Sequence, residues 1–180
     1  MILKLKRTPG IYLVGFMGCG KSTVGERLAD ELGWQFADID EEIVQDQGCS
    51  IVEIFDTGGE PAFRAIEAEH IRKKVRQIQT GRPMVLALGG GAFAEDVNFQ
   101  LLQENGVSIW LDCSLDRIKS RLEGKSDRPL ARDPERFSAL FDKRQSAYAR
   151  ADHRVTIESN DPSVTVTRIL ELPLFNEAKK

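Results

Sequence analysis

No run in this sequence approaches the ~18 consecutive apolar residues that a bilayer-spanning helix requires, so no membrane association is expected. The first seven residues alternate apolar and basic side chains without a continuous apolar stretch, and are expected to lead into a strand rather than to direct secretion. Cysteine is sparse. Cys19, Cys49 and Cys113 are odd in number and none is spaced Cys-x-x-Cys, which argues against a disulfide framework or a zinc site and fits free thiols in the reducing cytoplasm. Positive charge is not in excess either: 25 Lys and Arg against 28 Asp and Glu leave a net charge of −3, without the basic footprint of sequence-independent nucleic-acid binding. Internal repeats, low-complexity tracts, linkers and long heptads are all missing, so residues 1–180 are expected to form one domain and to act as a monomer. There is also no Asn-Lys-x-Asp segment and no Asp-x-x-Gly after the third expected strand, which sets a guanine-nucleotide switch aside.

What is present is an alternation of short apolar runs with longer segments of helical period. Strands are expected over 11–14, 35–39, 84–88, 107–111 and 154–158. The helical segments lie between them. One covers 21–32, with Val24, Leu28, Ala29 and Leu32 on one face and Gly33 past its end. A short one follows Ser50, which forms a capping box with Glu53, and a long one covers 60–80 with Pro61 in its first turn. Others start at Ser114, Asp133-Pro134 and Asp161-Pro162. Five strands alternating with helices predict an α/β fold, a parallel sheet with helices on both faces. Ligands of such sheets sit beyond the carboxyl ends of the strands. Gly15, Asp40, Gly89 and Asp112 each follow an expected strand end and should share one rim.

The segment Gly15-Phe16-Met17-Gly18-Cys19-Gly20-Lys21-Ser22 satisfies G-x-x-x-x-G-K-[ST] in full, between a strand and a helix. Glycines let the backbone wrap so that its N–H groups converge on phosphate oxygens, and the following helix directs its positive end at the same anion. Lys21 supplies a cation for the β- and γ-phosphates of ATP, and Ser22 a hydroxyl for Mg²⁺. Gly18, Cys19, Gly20, Lys21, Ser22 and Thr23 are therefore the candidate nucleotide-binding residues.

Asp38-Ile39-Asp40 places two carboxylates at i and i+2, projecting from one side if the segment is extended. One suits a water of the Mg²⁺ shell and the other a hydrogen bond from an attacking hydroxyl; a solvated helix start with Asp40 as N-cap is the alternative. Arg64 and Glu67 are i and i+3 on the long helix, a spacing that also describes ordinary surface pairs. Gly89-Gly90-Gly91 at a strand's carboxyl end lets backbone approach a ligand closely. Residues 124–133 carry Lys125, Arg128 and Arg132 among Gly, Ser, Asp and Pro, a composition that suits a mobile loop closing over a site. Arg144 and Tyr148, at i and i+4, offer a guanidinium to a carboxylate.

Taken in order, these segments resemble the shikimate kinase family from about Gly10 to Leu172. The resemblance rests on Gly15 through Thr23, Asp38-x-Asp40, Gly59-Glu60 with Phe63-Arg64 and Glu67, and Gly89 to Gly91. It continues through Trp110-Leu111, Arg128-Pro129-Leu130, and Arg144 with Tyr148. It implies a P-loop kinase fold of the nucleoside-monophosphate-kinase type, with strand order 2-3-1-4-5, a substrate-binding segment near 39–66 and a lid near 123–134. It also implies transfer of a phosphoryl group from ATP to the 3-hydroxyl of shikimate. By that likeness Asp40 would hold ring hydroxyls and assist deprotonation, and Arg64 and Arg144 would clamp the carboxylate. Gly89, Gly90 and Gly91 would line the ring, and Glu67 would orient Arg64. Ser22 and Asp38 would support Mg²⁺. Lys21 and Arg128 would act on the transferring phosphoryl group, and Arg121 would lie near the adenine with Asn160 to Pro162. Two departures stand out. Cys19 occupies a position where the family often has Ala or Ser, and no separate carboxylate follows the third strand, which leaves Asp38 as the metal support. A kinase of another hydroxy acid such as gluconate shares the loop and the early acidic pair, but would not be expected to combine the triple glycine with both Arg64 and Arg144. A catalytically silent nucleotide-binding regulator would not need every chemical position filled.

Overall fold

The computed structural model describes residues 10–123 and 133–176, so most of the expected lid, with Lys125, Arg128 and Arg132, lies outside the described residues. Five parallel strands form one sheet in the order β2-β3-β1-β4-β5. The central strands β1 (Gly10–Val14) and β3 (Met84–Ala87) are buried at every position. Their continuous apolar runs are those of parallel strands covered on both faces. At the edges, β2 (Gln35–Asp38) and β5 (His153–Thr156) each bury one residue, Ala37 and Val155, and β4 (Val107–Asp112) lies between β1 and β5.

The register levels the strand ends. Leu13 and Asp38 both pair with Ala87, which puts the three residues in one row across the sheet. Two residues further along each chain stand Gly15, Asp40 and Gly89. The expected rim is thus set by hydrogen-bond register. Asp112 ends β4 at the same edge, but its carboxylate is held by Arg154 of β5 at 2.6 Å.

The helices show why the chain turns where it does. Helix α1 (Lys21–Leu32) starts directly from the phosphate loop and buries Val24, Leu28 and Ala29. It stops at Gly33, whose left-handed backbone (φ 65°) returns its N–H to the carbonyls of Ala29 and Asp30. Helix α2 (Ile39–Gln47) begins earlier than the sequence suggested. The Asp38 side chain accepts from the N–H groups of Asp40 and Glu41 and so ends the strand as an N-cap. Asp38 is extended, whereas Asp40 stands in the first helical turn, so the two carboxylates do not project side by side from a strand. The cap is Asp38, not Asp40.

Helix α3 (Ile51–Gln79) is broken at Gly59 (φ 72°, ψ −179°), in agreement with a short helix followed by a long one. Ser50 and Glu53 form the capping box, Ser50 N–H donating to Glu53 Oε2 at 2.7 Å and Glu53 N–H donating to Ser50 Oγ at 3.2 Å. Helix α4 (Asp96–Asn105) was not anticipated, because Glu95 at its N-cap makes no side-chain cap bond and leaves no start signal. Helices α5 (Leu115–Leu122), α6 (Pro134–Tyr148) and α7 (Pro162–Leu170) start after Ser114, Asp133 and Asp161, each accepting an N–H of the first turn. A final turn, α8 (Pro173–Asn176), had no sequence signal.

Candidate active site

Between β1 and α1 the glycines take backbone angles that other residues rarely adopt: φ is 144° at Gly15, 78° at Gly18 and 100° at Gly20. The loop is tethered from three sides. Lys21 Nζ donates across it to the carbonyls of Gly15 (2.9 Å) and Phe16 (3.0 Å). Phe16, one of the motif's unspecified positions, is 2% exposed and meets Phe137 and Phe141 of α6 edge-on, with centroids 5.2 Å away in both cases. Burying such a ring contributes about 1.5–3 kcal/mol, so α6 and the loop are fixed relative to each other. Arg121 of α5 closes the third side, with Nη1 donating to the carbonyl of Cys19 (3.0 Å), Nη2 to that of Ser159 (3.3 Å) and Nε to Asn160 Oδ1 (3.3 Å). Cys19 itself is 1% exposed, the setting of a small filler rather than an accessible thiol.

Ser22 Oγ, at the first turn of α1, donates to Asp38 Oδ2 at 2.5 Å. With Asp38 Oδ1 capping α2, both oxygens of this carboxylate are fixed, one by a helix start and one by the hydroxyl of the motif. Gly18, Cys19, Gly20, Lys21, Ser22, Thr23, Asp38, Asp40, Gly90 and Arg121 all line one cleft of about 500 Å³, and Asn160 and Pro162 stand at the same cleft.

The rim beyond β3 is organised by the three glycines, in a way the sequence alone did not show. None of them has a positive φ. What they supply is space for side chains arriving from elsewhere. A Cβ at Gly89 would stand 2.6 Å from Glu67 Oε1 and 2.7 Å from Asp40 Oδ1. One at Gly90 would be 2.9 Å from Arg144 Nη1, and one at Gly91 would be 2.8 Å from Arg64 Cζ. Two carboxylates and two guanidinium groups, carried by α2, α3 and α6, are therefore packed in sequence along three consecutive residues. Tyr148 locks the strip by donating its hydroxyl to the carbonyl of Gly90 at 2.5 Å. Burial pushes the Tyr148 hydroxyl well above the usual phenol range, so it remains a donor.

Arg64 and Glu67 are no ordinary surface pair. Glu67 is fully buried, and its Oε2 accepts from Arg64 Nη1 at 2.6 Å. Burial raises its pKa above the ordinary 4.5, opposed by the Arg64 charge and reinforced by Asp40 nearby. Glu67 lies four residues after Phe63 and four before Ile71, both buried, so its place on the apolar stripe of α3 was the signal of its burial. Glu60 and Glu95 also reach the Arg64 guanidinium, at 3.3 and 4.0 Å. Glu60 does so at i and i+4 on the same helix, whereas Glu95, from the start of α4, had no sequence signal. Arg144 stands over the Phe16 ring, 5.8 Å from its centre, which ties this rim back to the phosphate loop. Of the expected site residues, Arg128 alone lies outside the described residues.

A phosphate loop, a carboxylate two residues past β2 and two arginines on a glycine strip make a specific combination, and comparison with known proteins shows the family of the chain. The family model for shikimate kinase matches residues 17–172. The chain belongs to the shikimate kinase family. The shikimate kinase of Persephonella marina is 41% identical over 161 residues, covering 89% of this chain and 96% of its own. That of Geobacter sulfurreducens is 44% identical over 162 residues, covering 88% and 87%. Among solved structures, the shikimate kinase of Acinetobacter baumannii in complex with shikimate superposes with a TM-score of 0.86 at 32% identity, covering 95% of this chain and 96% of that one. A gluconokinase from Sinorhizobium meliloti, at 18% identity and a TM-score of 0.54, shares the fold alone. The sheet order 2-3-1-4-5 is the one that the family resemblance implied. Among the described residues no helix is long and apolar enough to cross a membrane.

Proposed function

We propose that this chain transfers the γ-phosphoryl group of ATP to the 3-hydroxyl of shikimate, giving ADP and shikimate 3-phosphate, a step of aromatic amino-acid biosynthesis. The observation that carries the reading is the strip Gly89-Gly90-Gly91, with Asp40 and Glu67 over its first residue, Arg144 over its second and Arg64 over its third. Shikimate carries one carboxylate and vicinal hydroxyls. Two guanidinium groups suit the carboxylate, and a carboxylate at the phosphate-loop end of the strip suits the hydroxyl that attacks.

In this reading Arg64 and Arg144 hold the acceptor's carboxylate, and the bare glycines admit its ring. Asp40 accepts the proton of the 3-hydroxyl as that oxygen bonds to phosphorus and the bond to the ADP oxygen breaks. Phosphoryl transfer leaves little covalent work for the protein, so catalysis is positioning and charge stabilisation. Lys21 and the loop N–H groups supply that charge, with Arg128 added from outside the described residues. Arg121, with Asn160, borders the adenine end.

The donor set fits Mg²⁺. Among the described residues no three His, Cys, Asp or Glu converge into a metal cage, and the oxygens at the loop are Ser22 Oγ and Asp38 Oδ2. Mg²⁺ favours such sites, where one or two protein oxygens complement phosphates and water. When bound it would neutralise negative charge on the phosphates; Ser22 would ligate it and Asp38 would hold its water. The same reading takes the chain as a monomer of the cytoplasm, to which its three free thiols are suited.

The test is ADP release measured over a panel of hydroxy acids. Turnover with shikimate, absent with gluconate, is expected. Gluconate turnover without any shikimate signal would refute the assignment.

A further inference from the structure

The substrate arginine of this site is already surrounded by carboxylates. Glu67 Oε2 takes Arg64 Nη1 at 2.6 Å from the buried side. On the other side, a single oxygen of Glu60 spans Nε (3.4 Å) and Nη2 (3.3 Å), and Glu95 Oε1 stands 4.0 Å from the same Nε. Nε and Nη2 form an edge of the guanidinium on which a planar carboxylate makes paired hydrogen bonds. Glu67 is fully buried and fixed by the packing of α3, whereas the Glu60 and Glu95 side chains are 64% and 52% exposed. Only the exposed ones can leave without stranding a charge in the interior.

Glu60 is no accidental neighbour. It follows Gly59, whose backbone break starts the second part of α3, and from there it faces Arg64 at i and i+4. With Arg64 and Arg144 on one side of the balance and Asp40, Glu60, Glu67 and Glu95 on the other, carboxylates outnumber guanidinium groups around the strip. An incoming anion therefore meets a guarded cation, not a free one.

We propose that Glu60, with Glu95 behind it, is an internal counter-anion that the substrate's carboxylate must displace from Arg64, and that this exchange sets the affinity for carboxylate-bearing acceptors. The proposal rests on the reading of Arg64 as a carboxylate clamp. Glu60 touches no reacting atom; it acts through Arg64 on the binding step.

The test separates KM from kcat. Glu60→Gln keeps the size of the side chain and removes the competing charge. Because exposed ion pairs are worth ~0.2–1 kcal/mol, KM for shikimate should fall about 1.4- to 5-fold at unchanged kcat. Glu60→Gln combined with Glu95→Gln should lower it further. The methyl ester of shikimate has no carboxylate, and its KM should not improve in either variant. An unchanged or raised KM for shikimate in Glu60→Gln would overturn the proposal, since Glu60 would then be neutral or would merely hold Arg64 in place. An equal gain with the methyl ester would overturn it as well. Arg64→Ala distinguishes the two levels of the account. If it leaves the KM for shikimate unchanged, the clamp reading fails and takes the proposal with it. If it raises KM strongly while Glu60→Gln does not lower it, the exchange alone is refuted.

Discussion

Replacing Gly91 by Ala tests whether the glycine strip seats Arg64 for the proposed role of carboxylate clamp. The backbone at Gly91 (φ −105°, ψ −13°) is open to any residue, so the substitution acts through its methyl group alone. That methyl would lie 2.8 Å from Arg64 Cζ, whereas ordinary contact begins at 3.4 Å. Arg64 Nη2 would stand closer still, so the guanidinium must retreat by about 1 Å, and a misplacement near 1 Å costs on the order of 10²-fold when a clamp positions a reactant. We expect kcat/KM for shikimate to fall about 10- to 100-fold, chiefly through KM. Stability should fall by only about 1 kcal/mol, because the atoms that give way are the far end of a side chain. Coupled ADP release with varied shikimate measures the first, thermal unfolding the second, and titration with a fluorescent ATP analogue the nucleotide site, which should be unaffected. A folded variant with wild-type kcat/KM would refute the reasoning, as would an equal loss of nucleotide affinity.

Two further outcomes are expected. Asp40→Asn should retain ATP binding and lose about 10²- to 10⁴-fold in kcat, as for a positioned general base; unchanged turnover would exclude that role. The stability of the wild type relative to Glu67→Gln should fall as pH rises above 4.5. Burial raises the folded pKa of Glu67 above its unfolded value, so the stability linked to its proton is complete at low pH and is lost as pH rises through the folded pKa. Urea unfolding of both proteins across pH 4 to 8 would show this, and a difference that stays flat or grows with pH would contradict it.

The phosphate loop was legible because its chemistry is local: glycines, lysine and hydroxyl must stand at fixed spacing, so the sequence carries the whole geometry. The alternation of strands and helices was legible from periodicity, but strand order was not. Nothing in 35–39 or 84–88 says that β3 lies between β1 and β2, and the order was reached by resemblance. Asp38 shows how a boundary is lost. An aspartate after a strand reads equally as its last residue or as the cap of the next helix, and here it is both. At Gly89 to Gly91 the residues were recognised, but the side chains that pack against them were not. Their bareness serves Glu67, Asp40, Arg144 and Arg64, whose arrival depends on how α2, α3 and α6 pack. The same holds for Phe16, which the motif treats as unspecified, and for Glu95, which reaches Arg64 from the start of another helix. Tertiary convergence of this kind leaves no spacing to read.

The most direct measurement is a crystal structure of the chain with shikimate, ADP and Mg²⁺. The expected result has the shikimate carboxylate within about 3.2 Å of guanidinium nitrogens of both Arg64 and Arg144, and the 3-hydroxyl facing Asp40 on the side of Lys21. Shikimate lying away from both arginines, or with its 3-hydroxyl turned from Asp40, would contradict the account.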